Sequence, residues 1–361
     1  MKRIVGVDVT AKSIRAVQML HKSGQRPIVE KFIEYPIQAS SSDEGLSKGQ
    51  ILGGQLKLVW AAAGFKTKSV AFGIGGHDVF VKEFEVPDLP KSKLRKLLPD
   101  LAKGELPMSL DEVVLDFYAN RRITEVPPGH SAATGAGKDK GEPEAHLGGM
   151  LVAANRAAID LKMEAAKVAK LNVESIDLIP FALSRNLSKR FTTPGVRVFV
   201  RAANSFINII VTDDTAVRFV RMVPWELSAL HLTPLSKDED SESAGIVLDF
   251  TDASTSEISV IQTEDETQTA IHRQAVRELD DTMRYFNISH PDKHIDEILV
   301  SGVRLDNSAF LGMLQKGREV RVTGITRSGL GHRRSTVSTV DSSDVPDHLA
   351  VALALAEAVS A

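Results

Sequence analysis

The chain has 361 residues, more than one ordinary hydrophobic core needs, and reads as two or three domains. Hydrophobic residues make up 43% and charged residues 25%, and 44 Lys and Arg against 47 Asp and Glu leave a net charge of −3, which argues against a nucleic-acid binder. With no cysteine, disulfides, thiolate metal sites and thiol catalysis are excluded together, and a reducing compartment fits.

The N-terminus starts basic, but Asp8 interrupts the apolar run too early for a signal peptide. Ile4–Val9, Ile14–Leu20 and Ile28–Ile33 read as three strands, followed by a Ser-rich connection at Gln38–Gly49. Apolar residues at helical spacing (Ile51, Leu52, Leu56, Val59, Trp60) predict a helix over Gln50–Ala63 with Gly64 as its C-cap. Ser69–Phe72 and Asp78–Val86 read as two strands joined by a hairpin turn at Gly73-Ile74-Gly75-Gly76. Residues 122–149 carry almost no large apolar side chain to offset their ordering entropy and are expected to form a flexible loop. An amphipathic helix is expected over Ala153–Lys170, then a strand meander at Arg197–Val200, Phe206–Val211 and Ala216–Val223. After an acidic and hydroxylic run at Ser236–Ser243, Ala244–Phe250 and Glu257–Gln262 read as a further strand pair. A helix over His272–Phe286, a strand at Glu297–Val300 and a closing helix over Asp347–Ser360 complete the chain. The apolar run Leu349–Ala356 is less than half a membrane span, so no direct span is expected and the expected location is cytoplasmic.

Strands leading and helices following, twice over, make an α/β chain with two similar halves. Each half has an apolar run ending in Asp-apolar-Thr: Val7-Asp8-Val9-Thr10 and Leu248-Asp249-Phe250-Thr251. An acid at a strand end before a hydroxyl-rich hairpin can hold phosphate, with turn amides facing the phosphates and the carboxylate reaching Mg2+ or its waters. On these residues alone an ordinary hairpin turn explains either copy. Gly135-Ala136-Gly137-Lys138 is read as linker, because Ala132 and Asp139 stand where a P-loop needs Gly and Ser or Thr. His290 and His294 have Pro291 between them and read as solvated loop residues instead of metal ligands. Trp60 is read as core, and Trp225 as core or a partner contact.

Several blocks add a resemblance. Val5–Gln18 is similar to an opening phosphate hairpin, and Phe84-Glu85-Val86-Pro87-Asp88-Leu89-Pro90 to a following strand and loop. Leu106–Phe117 is similar to the entry of an inserted small subdomain, and Met150–Arg156 with Ile176–Leu183 to its exit. Glu278–Phe286 and Ile298–Gly302 are similar to a late helix and the strand into an adenine-side turn. In this order they resemble the type IV pilus assembly protein PilM family, actin-like proteins related to the division protein FtsA.

The resemblance implies an actin-like fold, two ribonuclease H-like halves flanking a nucleotide cleft. Residues 1–90 and 172–190 would form the first subdomain, 91–171 the inserted one with its loop at 122–149, and 191–361 the second half, shortened or remodelled at 224–270. Where ATP and Mg2+ are retained, Asp8, Thr10, Lys12, Ser13, Asp249, Thr251, Ser254 and Gly302 would bind the nucleotide and Asp8 the Mg2+. No catalytic residue is assigned. Asp111, Val113, Leu115, Phe117, Asn155 and Arg156 would flank a groove for the cytoplasmic tail of a PilN-like inner-membrane protein.

The chain departs from the family pattern at the nucleotide. Thr10 replaces a glycine, Arg201 stands where the family has its second Asp, and Ser301-Gly302-Val303-Arg304-Leu305 keeps one glycine of a run. The second phosphate hairpin is therefore either the segment around Arg201 or the one around Asp249. The expected function is a cytoplasmic scaffold or adaptor of a type IV pilus or related secretion machine, held at the inner face of the membrane through partners, with weak or lost ATPase activity. Two rivals stand beside it. One is an ATP-dependent small-molecule kinase on the same fold, with Asp249 or Asp177 as its carboxylate. The other is an FtsA-like division protein, which would bring an amphipathic membrane helix; the closing segment here is apolar on nearly all sides and lacks Lys and Arg.

Overall fold

The computed structural model describes residues 1–37, 45–123, 145–189, 193–203, 206–224, 256–302, 308–324, 345 and 347–358. The chain opens with an antiparallel meander, β1 (Lys2–Val9), β2 (Ser13–His21) and β3 (Ile28–Pro36). Helix α1 (Lys48–Ala63) follows, started by a reciprocal Ser47–Gln50 capping box and stopped by Gly64 at φ 58°. Next comes β4 (Ser69–Ile74), parallel to β1. Strand β5 (Val79–Pro87), helix α2 (Lys91–Leu101), β6 (Val113–Ile123) and β7 (His146–Asn155) make a separate antiparallel sheet of order β5-β7-β6. Helix α3 (Arg156–Ala169), capped by the Asn155 side chain, leads to β8 (Asn172–Leu178), which returns to pair parallel with β4. Helix α4 (Ile179–Ser188) then connects to the second half.

That half repeats the plan. Strands β9 (Val196–Ala203), β10 (Phe206–Asp213) and β11 (Ala216–Pro224) form an antiparallel meander. Helix α5 (Ser256–Ser289), β12 (Ile295–Gly302), α6 (Ser308–Gln315) and β13 (Arg321–Gly324) follow, and α7 (Ala350–Ala358) closes the chain. The first sheet runs β3-β2-β1-β4-β8 and the second β11-β10-β9-β12-β13, so β9 takes the place of β1 and β10 that of β2. No described helix is long and apolar enough to cross a membrane.

Helix α7 packs on β1, β2 and β4 of the first sheet. Gly6 permits this approach, because a Cβ there would lie 2.0 Å from the Ala352 carbonyl oxygen. One buried cluster joins Ile4, Ala71, Phe181 and Leu355 to Phe199, Ile210, Val220 and Leu299, so the two halves share apolar core.

Several expectations are corrected. Gly73–Gly76 is no hairpin turn, because β4 and β5 belong to different sheets and a 3-10 turn at Gly76–Asp78 joins them. Residues 153–155 finish β7, and the helix starts at Arg156. Residues 122–123 and 146–149, placed in the loop, are paired in β6 and β7. Glu257–Gln262, read as a strand, lies within the 34 residues of α5, where a six-residue window is too short to fix the period. His290 is not loop-solvated: its side chain is 18% exposed and stacks on Phe286. The rest of the loop (124–144), the Gly135–Lys138 run, Trp225 and the stretch 225–255 lie outside the described residues.

Candidate functional site: the cleft and the flanking groove

Asp8 sits buried near the end of β1, at its exit into the β1–β2 hairpin. Burial pushes its carboxyl above the usual range, against the pull of Arg15, Arg201 and Lys162; Glu34 adds to the push. Arg15 is tied to Glu34 at 2.8 Å within the same sheet, whereas Lys162 comes from α3 and Arg201 from β9 of the other half. Lys162 is itself held below the usual lysine range by burial, with Asp78 and Asp8 opposing. Asp8 is thus a buried carboxylate with cations from the neighbouring helix and from across the cleft.

The β1–β2 hairpin spends its donors internally. The Thr10 hydroxyl accepts from the Ser13 amide at 2.9 Å and the Lys12 amide at 3.3 Å, and donates to the Ser13 carbonyl at 2.9 Å. The Thr10 amide also donates to the Ser13 carbonyl at 2.9 Å. The Ser13 hydroxyl lies 2.8 Å from a Glu34 carboxylate oxygen, to which it donates. Lys12 is exposed. The four residues expected to greet a phosphate therefore form a turn that is largely satisfied by itself.

The topology also decides which hairpin corresponds to the first. Strands β9 and β10 occupy the place of β1 and β2, and Arg201, near the end of β9, stands where Asp8 stands in β1. Arg201 is buried, with Nη1 3.3 Å from the Ser301 hydroxyl. Asp249, Thr251 and Ser254 lie outside the described residues. Gly302 ends β12 beside Ala202, at φ 118°, a conformation that favours glycine. Asp177, the rival kinase carboxylate, is paired with Arg185 on α4, and burial pushes its pKa up. Among the described residues, no three His, Asp or Glu side chains gather to hold a metal. A metal–nucleotide needs free hairpin amides and acids on both sides. Among the described residues this cleft offers an internally bonded hairpin and, on the side of the other half, the guanidinium of Arg201, and these residues do not fit that group.

The predicted groove residues divide by strand period. Val113 is buried, and Leu115 and Phe117 on the same face pack with Leu94, Leu98 and Leu151 beneath α2. Asn155 caps α3 by accepting from the Ala157 amide at 2.9 Å, and Arg156 donates to the carbonyls of Asp111 at 3.1 Å and Val113 at 2.8 Å. Leu115 and Phe117 thus face α2, whereas Asp111, Asn155 and Arg156 are exposed. The alternate face of β6 carries Val114, Asp116 and Tyr118, opposite Ala154, Val152 and Met150 of β7. That face meets Ala158 and Ile159 of α3 and, through Tyr118, Phe181 of α4. Val114 on this face and Met163 on α3 are 38% and 48% exposed, and among the described residues β6 is an edge strand of its sheet.

The fold is similar to a chain of the PilM-PilN type IV pilus biogenesis complex, with a TM-score of 0.68, 17% identity, and 99% of this chain and 98% of that one covered. Fainter likenesses are to a Bacteroides thetaiotaomicron protein with an actin-like ATPase fold (TM-score 0.45, 8% identity, 90% of each chain) and to the ethanolamine utilization protein EutJ from Carboxydothermus hydrogenoformans (TM-score 0.42, 13% identity, 99% of this chain and 90% of that one). Among curated proteins no sequence matches. Residues 6–210 match the profile of the type IV pilus assembly protein PilM. That match runs from β1 into β10 and covers more than half of the chain, so this actin-like protein belongs to the PilM family of type IV pilus assembly proteins.

Proposed function

We propose that the protein is a cytoplasmic adaptor of the assembly machine. Its groove between β6 and α3 would hold the cytoplasmic tail of a PilN-like inner-membrane protein, with weak or no ATP turnover. The observation that carries the reading is that β6 is, among the described residues, an edge strand of its sheet, with Val114 on it and Met163 on α3 both exposed. An extended peptide can add to such an edge, gaining main-chain hydrogen bonds and placing alternate side chains against α3. The named complex of the similar structure supports the choice of partner. The three subdomains expected from the sequence would then act as two halves that carry a presenting sheet, β5-β7-β6, inserted between β4 and β8.

Calorimetry with a synthetic peptide of the PilN-like tail tests the reading. Val114→Glu and Met163→Glu should each weaken binding about tenfold or more, as burying a charge at an apolar contact does. Leu115→Ala should lower stability first, because that side chain packs inside the sheet–α2 layer. Unchanged affinity in both groove variants would sink the groove assignment. Tight Mg2+-ATP binding with steady turnover abolished by Asp8→Ala would instead favour the kinase reading.

A further inference from the structure

The strand pair β10–β11 meets a turn of the first half. The Phe206 ring, at the start of β10, meets the His77 ring edge-on at 4.9 Å between centroids. It also lies over Gly76, where a Cβ would come within 2.5 Å of the Phe206 ring carbons. Gly76 has φ +69°, so both its backbone and the ring above it call for glycine. The Gly76 amide donates to the Met222 sulfur of β11 at 3.2 Å. One turn of the first half, between β4 and β5, is thus seated on two strands of the second.

We infer that this seat is a latch that holds the cleft shut without a nucleotide. Phe206 and Met222 grip the Gly76–His77 turn, while Arg201 of the second half is near enough to act on the Asp8 carboxyl of the first. In a nucleotide-gated protein of this architecture, ligand charge joins the halves. Here the joint is made of side chains, so the halves keep one relation whatever the ATP level, and the presenting sheet is held in a constant position. The inference rests on the reading of the cleft as a poor metal–nucleotide site and is independent of the tail groove.

Hydrogen exchange of the full chain, followed in segments 70–80 and 206–213, tests it, with 113–123 in β6 as the reference. Wild type should be equally protected with and without Mg2+-ATP. Phe206→Ala should speed exchange in both segments about tenfold or more without nucleotide, and leave the reference unchanged. Phe206→Leu, which keeps most of the volume, and Met222→Leu, which removes the sulfur acceptor, should give smaller effects of the same sign. Arg201→Asp should open the cleft in a way that Mg2+ reverses, because two carboxylates then face each other. Unchanged exchange in Phe206→Ala and Met222→Leu, with no response to Mg2+-ATP in wild type, would overturn the latch alone. Slowing of wild-type exchange about tenfold by Mg2+-ATP would overturn both the latch and the poor-site reading.

Discussion

His21 shows how a single residue ties the ends of the chain together. It is buried at the end of β2, with Nε2 2.9 Å from the carbonyl oxygen of Ala356 in α7. A carbonyl accepts, so Nε2 carries the hydrogen, and Nδ1 has no partner among the described residues. Burial pushes the imidazole pKa down, against the opposing pull of the Ala356 carbonyl and Glu357. Folding therefore favours the neutral ring. Its contribution is intact above the unfolded value of about 6.5 and is lost as pH falls through the lower folded value, at up to about 1.4 kcal/mol per pH unit. Urea midpoints should drop between neutral and mildly acidic pH, and His21→Gln, which can still donate to Ala356, should flatten that part of the profile. An equal drop in the variant would assign the acid sensitivity to other groups. At this scale the sequence showed which residues matter better than what they do. Asp8 and Arg201 stand out from residue type and place alone, but the donors spent inside the Thr10–Ser13 turn depend on side-chain rotation, which no spacing reveals.

Helix α1 separates two adjacent glycines that a sequence cannot tell apart. Gly53 faces α3, where a Cβ would lie 2.5 Å from the Val168 Cβ and 2.8 Å from the Ala165 carbonyl oxygen. Gly54, one position round the helix, has open space beyond it. Gly53→Ala should destabilise by about 1–3 kcal/mol, because overpacking forces α1 and α3 apart. Gly54→Ala should be stabilising by about 0.4–1 kcal/mol, through the smaller entropy lost on ordering a helical alanine. Chemical denaturation of the two variants side by side checks both signs. The same contrast explains which elements were legible. Strands β1 to β3 and β9 to β11 were found because local apolar runs and turn residues suffice to mark antiparallel meanders. The partner of β5 was missed, since β7 lies far along the chain and a glycine-rich turn after β4 looks like a hairpin from local chemistry. Strand β6 was not read as a strand, and without α2 in view nothing in Val113–Phe117 says which face is inside.

The whole molecule depends on its last helix. Val351, Leu353 and Leu355 of α7 are at most 3% exposed, and alanines at 350, 352, 354 and 356 let the helix lie close against β1. Leu355 joins the cluster shared by the two halves, while Leu353 and Ala356 complete the one beneath Val17, Met19 and Val29. Lys189 and Asn186 at the end of α4 fasten Glu357 from the side. The helix thus finishes a half whose strands were laid down at the other end of the sequence, and the matched residues 6–210 do not contain it. The first half on its own should therefore not fold as an autonomous unit. Each of the three large aliphatic side chains is worth about 2–5 kcal/mol when truncated, so losing all three together costs an amount comparable with the usual 5–15 kcal/mol of a domain. A chain ending at residue 344 should lose its near-ultraviolet circular dichroism and its cooperative thermal transition. Leu355→Ala alone should lower stability by about 2–5 kcal/mol while leaving the transition cooperative. A peptide of residues 345–361 added in trans should restore part of the signal, because α7 packs against both α4 and β1. A truncated chain that melts cooperatively within a few degrees of the full one would show that the sheet closes on itself without α7.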